Sequence, residues 1–183
     1  MSGFAIETER LILRDWCDAD LAPFNAMCRH PEVMAQLGPL QSRDETRTAI
    51  TRQRALQAAL GHCFWAIERH SDSAFLGFCG LKIAPEGIAG LEDAIEIGWR
   101  LRRDAWGCGY AFEAATASLN WGWANLAIDR IIAITTPANV RSQALMTRLG
   151  MIRLPDLDFD HPALAHDDPL RPHVTFEIIR PRG

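Results

Sequence analysis

The chain of 183 residues is 48% apolar, enough to build one domain around a buried core. Its formal charge of −4 excludes a broad nucleic-acid surface, which needs a basic face, and no apolar run approaches the roughly 20 residues that cross a bilayer. No linker, fixed-period repeat or low-complexity tract interrupts residues 1–183, so a single domain is expected. Met1-Ser2-Gly3-Phe4 lacks the basic and apolar regions of a signal peptide. The five cysteines (17, 28, 63, 79 and 108) are scattered without a Cys-x-x-Cys pair, which predicts reduced thiols in a cytoplasmic protein.

Residues 5–14 carry Ile6, Leu11, Ile12 and Leu13 and predict an edge or second-from-edge strand. From Asp18 to Met34, Leu21, Phe24, Met27 and Cys28 recur at helical spacing. Ser42-Arg43-Asp44-Glu45 is a capping-box pattern that opens a helix running to Leu60, and Gly61 ends it. This two-helix stretch reads as ordinary packing, as the wall of an acceptor groove, or as both. Phe64 to Arg69 and Phe75 to Ile83 read as paired strands around His70-Ser71-Asp72-Ser73. Pro85-Glu86-Gly87 turns the chain into a strand from Glu92 to Leu101. Tyr110 to Leu126 reads as a helix with Ala111, Ala114, Ala115 and Leu119 on one face. Arg130 to Thr135 is a short β-branched strand, Val140 to Leu149 a helix, and 173–179 a last strand. Hairpins mixed with helices predict an α+β domain instead of a doubly wound sheet.

Trp106-Gly107-Cys108-Gly109-Tyr110-Ala111, followed by Glu113-Ala114, joins the strand that ends in basic residues to the helix after it. Glycines let the backbone turn tightly and approach a ligand, so successive N–H groups can aim at one anion. The helix start adds unpaired N–H groups and the positive end of its dipole. Together these make a cradle suited to a pyrophosphate. A Gly-x-Gly pair also occurs in turns that hold nothing, so the reading needs support from elsewhere. Asn139-Val140-Arg141-Ser142, leading to Arg148-Leu149-Gly150-Met151, supplies it.

With that pairing the chain resembles the acyl-CoA-dependent N-acetyltransferases of the GNAT superfamily, in the variant that contains the RimJ/RimL-type ribosomal-protein N-terminal acetyltransferases. Ile6-Glu7-Thr8-Glu9-Arg10-Leu11-Ile12-Leu13-Arg14 is similar to that group's first strand. Glu96-Ile97-Gly98-Trp99 is similar to the strand before the cradle, and His173-Val174-Thr175-Phe176 to the closing strand, with Phe where Tyr is frequent. The resemblance covers nearly the whole chain. It implies a mixed, mostly antiparallel central sheet of about six or seven strands flanked by helices. It also implies acetyl-CoA as co-substrate, no metal, and a primary amine as acceptor, either a protein or peptide N-terminus or a small molecule. The CoA phosphates would lie on the backbone of Trp106, Gly107, Cys108, Gly109, Tyr110 and Ala111. The backbone of Gly98, Trp99, Arg100 and Leu101 would orient the thioester and polarise its carbonyl. Trp106 stands where Gln or Arg is frequent, a departure common in this branch.

Several residues keep two readings. Asn139 is a preferred helix N-cap, and the resemblance implies a hydrogen bond to the pantetheine arm of CoA. Ser142 is an exposed first-turn hydroxyl or the group that protonates the leaving thiolate. Cys108 is a tolerated small residue or an oxidation-sensitive thiol. Tyr110 touches the ligand or packs beside the helix. Amide formation needs a neutral amine, and an α-amine titrates near ~8 against ~10.4 for lysine, so a carboxylate acting through water suffices as general base. Glu96, between Ile95 and Ile97, is the leading candidate, with Glu92 and Asp93 as alternatives; for each a structural carboxylate stays an open reading. Many family members carry a Tyr acid on the last helix, and residues 143–149 contain none.

Asp156-Leu157-Asp158-Phe159-Asp160 begins like a calcium loop, but His161 replaces the required Gly and Asp167 the closing Glu. His161, His166 and His173 match no zinc spacing. An acidic surface loop is expected there, lining the acceptor entrance and attracting a cationic substrate.

The leading account is an N-acetyltransferase in which the amine attacks acetyl-CoA directly within a ternary complex, since no cysteine–base pair marks a covalent route. The alternative is a non-catalytic CoA-binding sensor or interaction module, motivated by the missing Tyr. A dinucleotide-binding domain fits less well, because Phe112 occupies the last Gly position of Gly-x-Gly-x-x-Gly and hairpins precede the turn. No nucleic-acid or membrane partner is expected. The acceptor, the acyl length and a homodimer are left open.

Overall fold

The computed structural model describes residues 3–181; Met1 and Ser2, part of the segment searched for a signal peptide, lie outside them. The N-terminal stretch is a hairpin, where one strand was expected. β1 (Ala5–Glu7) and β2 (Leu11–Arg14) pair antiparallel across a turn that Thr8 closes, with Leu11 N donating to its Oγ1 at 2.9 Å. The helix expected to reach Met34 is two pieces, α1 (Leu21–Cys28) and the single turn α2 (Pro31–Met34). Pro31 accounts for the break, since it lacks the N–H that would continue the ladder and suits a first helical turn.

α3 (Arg43–Leu60) begins with the predicted capping box: Glu45 N donates to Ser42 Oγ at 3.2 Å and Ser42 N to Glu45 Oε2 at 2.7 Å. Gly61 ends it in the left-handed region at φ 76°, a conformation that only glycine takes freely. β3 (Phe64–Arg69) and β4 (Phe75–Ile83) form the expected hairpin. β5 (Ile95–Leu101) starts three residues later than expected, because Glu92 and Asp93 form an exposed turn with Asp93 at φ 57°. The remaining elements are α4 (Tyr110–Asn125), β6 (Arg130–Thr135), α5 (Val140–Arg148), β7 (Ile152–Arg153), β8 (Phe159–Asp160) and β9 (Pro172–Ile179).

Among the described residues the strands form one sheet of nine, ordered β1-β2-β3-β4-β5-β6-β9-β7, with β8 against β9. The excess over six or seven comes from the split first strand and from β7 and β8, whose two residues each are too short to show a period. Every pairing is antiparallel except β5 with β6, and helices flank the sheet, so the α+β class holds.

Alternation along β4 and β5 divides their side chains between two faces. Cys79, Leu81, Ile97 and Leu101 are buried on one face, where α4 packs so closely that a Cβ at Gly122 would sit 2.6 Å from Leu81 Cδ1. The other face presents Phe78, Lys82, Glu96, Gly98 and Arg100. Phe64 lies across it, stacked on Phe78 at 5.4 Å, and a Cβ at Gly98 would come within 2.6 Å of its Cζ. On the α4 side, fully buried Trp65 stacks on Phe4 at 4.6 Å and meets Trp121 edge-on at 5.0 Å. Such aromatic pairs add about 0.5–1.5 kcal/mol each beyond burial and lock α4 against β3.

Candidate active site

β5 and β6 pair only at Ile95 with Ile131 and at Glu96 with Ile132. Beyond Glu96 the two strands part: β5 stays on β4 through Leu101, and β6 stays on β9 through Thr135. The facing edges of residues 97–101 and 133–135 therefore have no strand partner. Backbone N–H and C=O groups need partners, so this fork offers donors and acceptors to an extended ligand in the manner of strand addition. Each arm ends at a helix start, β5 at the glycine turn before α4 and β6 at Asn139 before α5.

Gly107 and Gly109 are both left-handed, at φ 74° and 82°. No atom lies within 4 Å of a Cβ placed on Gly107, so the glycine answers a backbone requirement and leaves open space above the turn. Gly109 is the N-cap of α4 and brings no side chain to its first N–H groups, which stay available to an anion. Trp106 anchors the turn through Nε1, which donates to Leu101 O at 2.9 Å. Its ring lies between two guanidiniums, Arg103 at 4.9 Å and Arg141 at 4.7 Å, so the cradle and the start of α5 touch. Cys108 is exposed, and Tyr110 and Ala111 open the helix.

Below the turn is a brace that sequence reasoning missed. Arg10 donates through Nη1 to Cys108 O at 3.0 Å, lies over the Tyr110 ring at 4.7 Å and pairs with Glu113 at 2.7 Å. Glu113 also accepts from Thr8 Oγ1 at 2.6 Å and Arg10 N at 2.8 Å. Burial would raise the Glu113 carboxyl, but these donors more than reverse it and hold it below the usual range. The partners are more than a hundred residues apart in sequence, so no local pattern announces them.

Asn139 caps α5, its Oδ1 accepting from Ser142 N at 3.3 Å, and its Nδ2 donates to Thr135 Oγ1 at 2.9 Å. The side chain thus ties the helix to the end of β6. Ser142 is half-buried in the first turn of α5, and its hydroxyl has no partner among the described residues.

Glu96 is buried where the fork begins, with Oε2 2.9 Å from Lys82 Nζ. The approach is off the hydrogen-bond direction, so that oxygen has an ionic neighbour but no directed donor. Burial pushes its carboxyl up, against the pull of Lys82. Glu92 and Asp93 are exposed before β5. Beside Glu96 opens a cleft of about 270 Å³, walled by Phe24 of α1, by Arg52 and Gln53 of α3, and by Phe64, Lys82 and Arg100 of the sheet. The groove-wall reading of α1 and α3 thus agrees with the geometry. A hollow of about 370 Å³ between Asp15, Arg54 and Cys63 includes no residue of the fork or the glycine turn.

In the loop expected to attract cations, Asp158 accepts from Arg153 at 2.6 Å and Asp160 pairs with Arg171 at 3.2 Å, while Asp156, Asp167 and Asp168 form no ion pair among the described residues. His173 stacks on Phe159 at 5.4 Å, with His161 5.1 Å away. Among the described residues no group of three or more His, Cys, Asp or Glu stands ready to hold a metal ion.

The family described as Acetyltransferase (GNAT) domain matches residues 10–152, a span that includes both arms of the fork and the glycine turn. YkkB of Bacillus subtilis is 32% identical over 145 residues, 79% of this chain and 83% of its own. The acetyltransferase of Agrobacterium tumefaciens strain C58 has a similar fold, with TM-score 0.78 at 23% identity over 98% of this chain and 96% of its own. RimL, a ribosomal L7/L12 α-N-protein acetyltransferase solved in complex with coenzyme A, has TM-score 0.75 at 16% identity over 96% and 98%. The fork, the glycine turn at its mouth and a family match that spans them agree, and the chain belongs to the GNAT acetyltransferase family.

Proposed function

We infer that the protein is an N-acetyltransferase that moves the acetyl group of acetyl-CoA to a primary amine by direct attack in a ternary complex. The observation that carries this reading is the fork between β5 and β6, which has an uncapped helix start on one arm and a buried carboxylate at its base. Acetyl-CoA supplies the activated acyl group as a thioester. Its phosphates fit the space above Gly107 and the free N–H groups of Gly107 to Ala111, with the Trp106 ring, Arg103 and Arg141 beside them. The free edge of Gly98, Trp99, Arg100 and Leu101 would orient the thioester and polarise its carbonyl. Asn139 would meet the pantetheine arm.

Glu96 takes the amine proton through water. Its unsatisfied Oε2 and raised carboxyl suit a base that must pick up a proton and release it again. The Ser142 hydroxyl donates to the departing thiolate. A thiol titrates near ~8.5, so this leaving group needs little acid assistance and a tyrosine is dispensable.

The test pairs calorimetric titration of acetyl-CoA and CoA with a thiol-release assay on a panel of primary amines. Binding with release on one amine class is the expected result. Tight binding with no release from any amine would favour a sensor, and absence of CoA binding would sink the cradle and the reading together.

A further inference from the structure

The cleft beside Glu96 holds a charge that the protein does not answer. Arg100 stands four residues past Glu96 on β5, on the same face. Its Nη1 points at Cys28 Sγ at 3.4 Å and Met34 Sδ at 3.6 Å, both weak acceptors. Its Nε is buried without a hydrogen-bond partner, and the guanidinium lies over the Phe78 ring at 5.4 Å. Among the described residues no carboxylate pairs with it, whereas Arg14 holds two and Arg102 and Arg103 one each. Burial pulls its pKa below the ordinary arginine value, yet a guanidinium stays protonated in proteins, so the charge persists. A buried charge left alone is costly, and an incoming anion offsets that cost.

The rest of the cleft repeats the sign. Arg52 and Lys82 line it with Arg100, and no Asp or Glu does, although Lys82 has Glu96 at 2.9 Å behind it. Gln41 also lines it, and its Oε1 is buried with no donor. The remaining wall is largely aromatic, formed by Trp16, Phe24, Phe64 and Phe78.

We propose that the acceptor is a primary amine carrying a carboxylate on an apolar or aromatic body, the carboxylate paired with Arg100. The proposal rests on the acetyl-transfer reading above. With Nη1 turned to the two sulfurs and Nε buried, Nη2 is left to donate to a carboxylate oxygen. Four residues of strand span about 13 Å, so an amine near Glu96 and a carboxylate at Arg100 stand many bonds apart. A short peptide meets that separation, and a free α-amino acid does not.

The experiment measures kcat/KM for aromatic di- and tripeptides, each as the free acid and as its C-terminal amide. Free acids are expected to turn over at least tenfold better. Arg100→Gln is expected to bring the acid-to-amide ratio near one, and Arg100→Lys to retain part of it. Circular dichroism and Tm check the folding of each variant. Equal turnover of acids and amides by the unaltered protein overturns the proposal and leaves the transferase reading standing. So does an Arg100→Gln variant that lowers both alike. Should no peptide release CoA, the same pairs are titrated into the CoA-loaded protein. Acid-selective binding that Arg100→Gln abolishes supports the site, and its absence overturns it.

Discussion

Arg10 and Glu113, 103 residues apart in sequence, meet at 2.7 Å beneath the glycine turn. Through them the β1–β2 turn, the Cys108 carbonyl and the first turn of α4 form one unit. The space at Gly107 is open, and the brace holds the turn through the Cys108 carbonyl.

Removing the brace should loosen the cradle. Glu113→Ala strips Arg10 N of its acceptor and Arg10 of its ion pair, and leaves Thr8 Oγ1 with the Leu11 carbonyl alone, at a cost of about 1–3 kcal/mol in denaturant unfolding. A tenfold loss of acetyl-CoA affinity, about 1.4 kcal/mol, should accompany it in a titration. Because the Glu113 carboxyl is lowered in the folded state, its contribution is present above the unfolded carboxylate value. It disappears as pH falls through the lower folded value. The stability gap between the unaltered protein and the variant should therefore close on acidification. A gap constant down to the strongly acidic range would contradict the brace.

Gly107→Ala isolates the backbone requirement. The added methyl meets nothing within 4 Å, but φ of 74° strains any other residue by about 1–2 kcal/mol. The variant should fold, with a small fall in Tm and weakened binding of acetyl-CoA. Unchanged affinity would show that the turn does not hold the phosphates in this conformation.

Two substitutions separate the readings of Asn139. Asn139→Ala removes the cap and should cost about 1 kcal/mol of stability. Asn139→Asp keeps a good cap and replaces the Nδ2 donor to Thr135 with a charged oxygen that can only accept. If the amide serves the pantetheine arm, both variants lose acetyl-CoA affinity while only Asn139→Ala loses a full cap. If capping is the whole role, affinity in Asn139→Asp stays near that of the unaltered protein.

What the sequence makes legible is local. Ser42 with Glu45, Gly61, the Gly107–Gly109 pair and the Asn139 cap each depend on neighbours a few residues away, and each stands where it was expected. Pro31 was equally visible, but the helical period of Leu21 to Cys28 masked the break. Arg100 was read only for its backbone. The face its side chain takes depends on the register that sets Phe78 opposite Arg100, and register is a property of two strands together. Thr8 and Glu113 escape for the same reason at longer range.

Glu96 makes a prediction in pH. Burial raises its carboxyl and Lys82 opposes the rise, so the acid limb of kcat with acceptor saturated should lie above the usual carboxylate value. Removing the opposing charge in Lys82→Met should move that limb higher still, and Glu96→Gln should abolish it. The stability sign follows from the same raise. The Glu96 contribution is fully present below the unfolded carboxylate value and is lost as pH rises through the folded one. Glu96→Gln should therefore stabilise the fold at neutral pH while lowering turnover. A limb indifferent to Lys82 would remove Glu96 from the role of base.

β6 touches β5 at two residue pairs and otherwise rests on β9, the last strand in the chain. As the protein is made from its N-terminus, β1 to β5 and α4 emerge with their partners already available. Until β9 forms, the second arm of the fork is held only by its two pairs with β5. A nascent chain short of that strand carries the glycine turn without the opposite edge. Closure of the fork therefore waits on β9, the strand farthest along the sequence from the β1–β2 hairpin that braces the glycine turn.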